Sequence, residues 1–301
     1  MRIGTRPRSL CAAAALLALA ACLLTSAAGS PGQGAGRQRA RAAGAARAGT
    51  KTASHGGVTF SYDNALASEV KGETIPASPL RDPSEKPDGV APEHVAFKFL
   101  GAYASLNKRS HFRPELHIYP VEDYKRAYAV APSYAAGVEQ TVCELKRAIA
   151  RRSVEFKDEA PYLDFIDAHQ SFQAHVHYLD FHGGKGLAFL TQYDIEPALV
   201  TNRGLTYVFQ GLTDDGRFYV SATFPVAAHA LPAEESEELF RRYGLDEVAC
   251  AGCPPGGARY RSYLKDISRT LGRTPPARFR PSLNTLDAML RTLSVQIAGR
   301  D

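Results

Sequence analysis

The chain has 301 residues, 45% of them hydrophobic, and carries 36 lysines and arginines against 31 aspartates and glutamates, for a net charge of +5 at pH 7. Eight of the basic residues and none of the acidic ones precede Val58, so 28 basic residues face 31 acidic ones from there onward. The folded part is thus near neutral, which excludes nucleic acid as an expected partner.

The opening MRIGTRPRSLCAAAALLALAACLL sets Arg2, Arg6 and Arg8 before an apolar run too short to span a bilayer comfortably, the pattern of a bacterial export signal. Leu19-Ala20-Ala21-Cys22 resembles the lipobox of bacterial lipoproteins, so residues 1–22 read as a signal peptide with lipobox and Cys22 as the lipidated residue. Such a chain is anchored to one leaflet without spanning it. Small residues from Thr25 to Ala28 leave an ordinary signal-peptidase cut open, giving a periplasmic or secreted chain, and a retained membrane anchor is the third alternative. No later segment approaches the roughly 20 apolar residues of a transmembrane helix.

Residues 23–57 read as a flexible basic Ala/Gly/Arg tether, because from Ser30 they hold no carboxylate and hardly any bulky apolar side chain to offset ordering entropy. Residues 58–301 then form one globular domain. VTFSY alternates Val58, Phe60 and Tyr62 with polar residues as a strand does, and Ala65 to Val70 reads as a helix-like turn. After Ile75, five prolines predict an exposed loop. HVAFKFL and PELHIYPV resume the alternation. Val138, Val142, Leu145 and Ile149 predict an amphipathic helix over Ser133 to Arg152, preceded by a shorter one near Tyr119 to Tyr128.

Two consecutive hairpins follow, turning at His182-Gly183-Gly184-Lys185 and at Asp214-Asp215-Gly216, residues that tolerate the positive φ of a tight turn. Beyond Pro225, AEESEELFRRYG, YRSYLKDISRTLG and PSLNTLDAMLRTLSVQI read as helices. The last has Ser282 at the N-cap and a stripe of Leu283, Leu286, Leu290, Leu293 and Ile297. The fold class is α+β: an antiparallel sheet with consecutive hairpins, packed by helices.

GVTFSYD, YLDFHGGKGLAFLTQY, LTYVFQGLTDDGRFYVSATFPV and the closing Pro-Ser-Leu helix resemble a group of exported bacterial proteins generally left uncharacterised. In strand order the chain also resembles the PsbP/Mog1-like α/β/α sandwich over about two thirds of its length. That resemblance implies a fold used mostly for binding and assembly and carries over no functional residue.

The chain has no Gly-x-Ser-x-Gly, His-Glu-x-x-His, Gly-x-x-x-x-Gly-Lys-Ser/Thr or Gly-x-Gly-x-x-Gly motif, and no cofactor is expected. His175 and His177 flank Val176 in a strand, so both rings project from one face, where two imidazoles could share a metal; solvation of that face is the plainer reading. Glu122, Asp123, Lys125 and Arg126 read as a salt-bridged surface, and Asp214 and Asp215 as turn residues. Tyr178, Tyr193, Tyr207 and Tyr219, with Gln192 and Gln210, would line a concave ligand surface if one face of the sheet were only partly covered. The alternative is that the tyrosines pack.

Cys250 and Cys253, in CAGCPPGG, lack the strand-to-helix setting of a thioredoxin-like site and a second thiol pair for zinc. In an exported chain they read as a disulfide clip, with a bridge to Cys143, redox chemistry and metal binding as the alternatives. Two functions remain: a cell-envelope lipoprotein acting as a non-catalytic binding or assembly protein, with the membrane and an envelope protein or small ligand as partners, or an envelope thiol-redox or metal-dependent enzyme.

Overall fold

A computed structural model describes residues 49–101, 112–157, 159–163, 166–243 and 257–297. All belong to one of the chain's two compact units, Ala46–Asp301. Seven antiparallel strands form the main sheet: β3 (Glu69–Ile75), β4 (His94–Leu100), β5 (Glu115–Pro120), β7 (Ala174–Phe181), β8 (Gly184–Thr191), β10 (Thr206–Thr213) and β11 (Phe218–Pro225). Their order is β3-β4-β5-β11-β10-β8-β7. The two predicted hairpins, β7–β8 and β10–β11, are therefore adjacent, as expected from their turn residues, and Gly183 and Gly216 adopt φ of 80° and 70°. Every residue of β10 is buried because the sheet is covered on both faces.

On one face pack α1 (Val121–Ala127) and α2 (Pro132–Arg151), enclosing Tyr124, Val138, Val142 and Leu145 with Leu187, Phe189, Val208 and Tyr219. The other face carries α4 (Gly257–Arg273), α5 (Leu283–Arg291) and a small sheet of β1 (Thr50–His55), β2 (Val58–Asp63) and β14 (Ser294–Val295). Between these layers lie Phe60, Phe97, Phe209, Phe224, Leu286 and Leu290. Three short pieces complete the surface: β6 (His169–Gln170) pairs with β9 (Tyr193–Asp194), β12 (Ala227–Ala228) pairs with β13 (Phe279–Arg280), and α3 (Glu237–Arg242), capped by the Ser236 hydroxyl, packs Leu239 and Phe240 against the core.

Three sequence expectations need correction. Residues 50–55, assigned to the tether, form β1: Gly56 and Gly57, with φ of 54° and 81°, turn it onto β2, so the folded domain starts before Val58. Ala65 to Val70 is not helical; the Asp63 carboxylate accepts from the Ala65 N–H in a turn, and β3 begins at Glu69. The proline-rich loop is exposed over most of its length, as expected, and is tied down by Ser78 and Ala91, which exchange backbone bonds, and by the buried Leu80 and Val90. Finally, α5 ends at Arg291 because the Thr292 hydroxyl bonds the Ser61 backbone and the chain joins the edge of β2 as β14. Leu293 is still buried, though not as part of a helical stripe. Ser282 stands at the N-cap of α5 with no side-chain cap bond.

Candidate functional site

His175 does not continue the strand as its sequence position suggests. It adopts φ 51° at a bulge, where Ala174 pairs with Leu190 and His177 with Ala188, so one extra residue sits on β7. The bulge reverses the alternation: Phe172 and Ala174 share a core with Leu179 and Phe181, whereas Val176 and Tyr178 pack against the opposite one. His177 is thereby turned toward α5.

The two imidazoles do not converge on a common point. His175 Nε2 lies 2.9 Å from the Thr274 carbonyl and its ring meets Phe279 edge-on. His177 Nδ1 lies 2.6 Å from the His175 carbonyl, and its Nε2 lies 3.1 and 3.0 Å from the two Asp287 oxygens. Tyr207 donates to Asp287 Oδ1 at 2.7 Å. Both His177 nitrogens face acceptors, so the ring is matched to its doubly protonated form and has no lone pair to offer a metal or a substrate. Burial, the largest influence on this ring, favours the neutral form. The Asp287 hydrogen bond and charge, with the His175 carbonyl, outweigh it and raise the pKa. No cluster of three metal-ligating side chains occurs among the described residues.

The proposed tyrosine surface is divided between two cores. Tyr207 belongs to the α4/α5 side, and Tyr178, Tyr193 and Tyr219 to the α1/α2 side. Two hydroxyls on the α1/α2 side brace the fold: Tyr178 donates to the Ser153 carbonyl at 2.6 Å, and Tyr219 accepts from the Leu163 N–H at 3.0 Å. Gln192 pins the following loop, donating to the Leu199 carbonyl and accepting from the Thr201 N–H. Gln210 is fully buried in β10, donating to the Phe209 carbonyl. The four tyrosines are thus divided between the two faces of the sheet, and both glutamines are buried.

Two tyrosines that the sequence reading did not single out fix α4. The Tyr263 hydroxyl accepts from the Val200 N–H at 2.8 Å, while Tyr260 bonds both backbone groups of Ala198. Burial pushes the Tyr263 phenol up to about 12. Tyr263→Phe is expected to cost about 1–2 kcal/mol by leaving a buried N–H without an acceptor. A raised phenol favours the protonated fold, so this contribution is intact below pH 10.0 and lost as pH rises through about 12. Urea titrations of both proteins at neutral pH and above pH 10 measure it.

A polar-aromatic cluster lies on β4 and β5, with His94 and Tyr119 buried in it. Ala96 pairs with His117, which sets His94, His117, Glu115 and Tyr119 side by side on the α1/α2 face. His94 Nδ1 meets the Pro92 carbonyl at 2.8 Å, His94 Nε2 meets His117 Nδ1 at 3.1 Å, and His117 Nε2 meets Glu115 Oε2 at 3.3 Å. The Tyr119 ring is stacked on His117 and lies against His94. The His117 hydrogen bond is the main reason that the Glu115 carboxyl titrates below its usual range.

Beside His94 opens a cleft of about 690 Å³ at the end of the sheet where β3 ends, β4 starts, β5 runs into α1 and β11 begins. Val95, Ile118 and Phe218 give it apolar walls, and Glu93, Glu122, Asp123, Arg126 and Arg217 a charged rim. On α1 the expected salt bridges form, Lys125 to Glu122 at 2.7 Å and Arg126 to Asp123. The Arg217 guanidinium lies over the Phe218 ring, 5.5 Å from its centroid. Volume, apolar walls and a few polar groups at the mouth suit a small ligand with both apolar and charged parts.

The signal for this site is present in the sequence. The alternation that sends Val95, Phe97, Leu116 and Ile118 to one core sends His94, His117 and Tyr119 to the other side. Their adjacency depends on the β4–β5 register. Asp215, expected as a turn residue, accepts from the Thr213 hydroxyl and the Arg217 N–H, and these bonds lower its carboxyl pKa. Cys22, Cys250 and Cys253 lie outside the described residues, and Cys143 is half-buried on α2. Among the described residues no helix is long and apolar enough to cross a membrane. No protein-family model, curated protein or solved structure matches the chain.

Proposed function

We propose that the protein is an exported lipoprotein of the cell envelope, anchored through Cys22, whose domain binds a small amphiphilic ligand or an envelope partner in the cleft beside His94 and performs no chemistry on it. The cleft carries this reading: it joins apolar walls to a charged rim, while the acid–histidine pair that most resembles catalytic machinery is consumed internally, both His177 nitrogens being engaged. Helices on both faces of an antiparallel sheet support the finer assignment to the PsbP/Mog1-like α/β/α arrangement, a fold used mostly for binding and assembly.

The anchor and the cleft are tested separately. In membranes washed at high salt, wild-type chain should remain and Cys22→Ala should not; a variant that stays membrane-bound after the wash with its signal cut normally contradicts lipidation. Native mass spectrometry of chain recovered from its own membrane in mild detergent should show a bound small molecule that Arg217→Glu, an exposed rim change, weakens or removes. A clean chain in both forms, or turnover of a disulfide by Cys250 and Cys253, overturns the binding reading.

A further inference from the structure

Charge within the domain is strongly segregated. Between Gly257 and Arg280 stand seven basic residues, Arg259, Arg261, Lys265, Arg269, Arg273, Arg278 and Arg280, against a single acid, Asp266. The rest of the chain from Val58 then holds 21 basic residues against 30 acidic ones. All eight of these charged side chains are exposed.

Arg261, Lys265, Arg269 and Arg273 recur every fourth residue of α4, a stripe roughly 18 Å long at the helical rise. Like charges at this spacing repel and weaken a helix. Asp266 offsets only Arg269, at 2.6 Å. The stripe also has a fixed direction. Tyr260 and Tyr263 bond Ala198 and Val200 from the buried side of α4, and the Ser268 hydroxyl bonds the Gln173 carbonyl at 2.6 Å, so the helix cannot roll its cations inward.

The stripe leads into a second cationic feature. In the β12–β13 ribbon Ala227 pairs with Arg280 and Ala228 with Phe279, which buries Phe279 and sends Arg278 and Arg280 outward together. They line a groove of about 850 Å³ with His229, Asn202 and Thr274, and no carboxylate lies among its lining residues. Arg261, Lys265, Arg273, Arg278 and Arg280 form no ion pair among the described residues.

We propose that this face, the outer side of α4 together with the β12–β13 groove, docks on the anionic headgroups of a bilayer, the lipid phosphates meeting Arg278 and Arg280. The proposal rests on the Cys22 anchor as the reason a bilayer is at hand. Charge complementarity supports it, and so does the course of the chain: β1, where the described residues begin, packs in the same layer as α4, on one face of the main sheet. A Gly- and Ala-rich stretch from Cys22 to Thr50 has a reach of roughly 30 Å, comparable to the stripe it must lay down.

The test uses the full chain carrying Cys22→Ala, so that the acyl anchor does not mask docking, with and without Lys265→Glu, Arg278→Glu and Arg280→Glu together. Each is sedimented with phosphatidylcholine vesicles, with or without phosphatidylglycerol. The parent should bind the anionic vesicles about tenfold or more tightly than the neutral ones, and lose the preference at high salt. The charge-reversed chain should lose it at low salt while unfolding at the same temperature. A preference that survives charge reversal shows that the tether arginines carry it and overturns the proposal, as does a parent with no preference.

Inorganic phosphate at matched ionic strength should leave vesicle binding unchanged. If it displaces the vesicles, the groove is a site for free phosphate and not a docking surface. Failure of the anchor reading shows differently: Cys22→Ala chain would remain in cell membranes washed at high salt, where the docking face no longer holds it, while the vesicle preference at low salt stood.

Discussion

Asp287→Ala is expected to destabilise the fold by about 3 kcal/mol, the low end for breaking a buried ion pair, because the His177 and Asp287 side chains keep 32% and 18% of their exposure. The loss has two parts. His177 loses the hydrogen bond and counter-charge that outweigh its burial, and the fully buried Tyr207 hydroxyl loses its acceptor. Tyr207 itself stays protonated, its pKa raised well above the ordinary phenol value by burial and by the neighbouring carboxylate.

The pH dependence has a definite sign. The His177 pKa is raised in the fold above its ordinary 6.5, so the pair's contribution is complete below that value and disappears as pH rises through the folded value. Unfolding free energy of the wild-type protein, measured in urea, should therefore fall as pH rises above 6.5 relative to Asp287→Asn, whose amide keeps the shape without the charge. Equal pH slopes for the two proteins would show that the ion pair is not what holds the proton.

Gly186→Ala is expected to be comparably severe, at about 3 kcal/mol. A Cβ at Gly186 would overlap Phe209 Cζ and come within 2.7 Å of the Gln210 carbonyl oxygen, and neither neighbour can retreat inside a sheet covered on both faces. Phe209→Leu in the same chain should return part of the loss, since the ring is one of the two obstacles; full additivity of the two changes would rule out this contact as the cause. Gly183 is the control. A Cβ there meets nothing within 4 Å, but φ is 80°, so Gly183→Ala strains only the backbone, by about 1 kcal/mol, and asparagine should be tolerated better.

These two glycines show how far local pattern carries. The turn at Gly183 is readable from HGGKG because glycine and its neighbours set φ within a few residues. The need for glycine at 186 is not readable there, since the ring over it comes from position 209. Likewise the alternation of β4 and β5 and the helical spacing of α2 were legible. The bulge at His175 was not: nothing local announces that a histidine will take φ 51° and reverse the faces of β7. Gly56-Gly57 is a hairpin signal in plain sight, yet the tether composition around it masked β1, whose partner β2 supplies the apolar side chains.

By itself, then, the sequence determined the antiparallel hairpins, the principal helices, the α+β class and the concentration of basic charge before Val58. The assignments that rest on Cys22, Cys250 and Cys253 remain readings of sequence. Tertiary structure alone decided which polar groups meet: His177 finds Asp287 110 residues away and Tyr207 reaches the same carboxylate across 80, while strand register brings His94 to His117. The physical reason is range. Turns and periodicity follow from dihedral preferences and burial over a few residues, whereas a cluster drawn from several elements depends on register and packing, which the whole core sets at once.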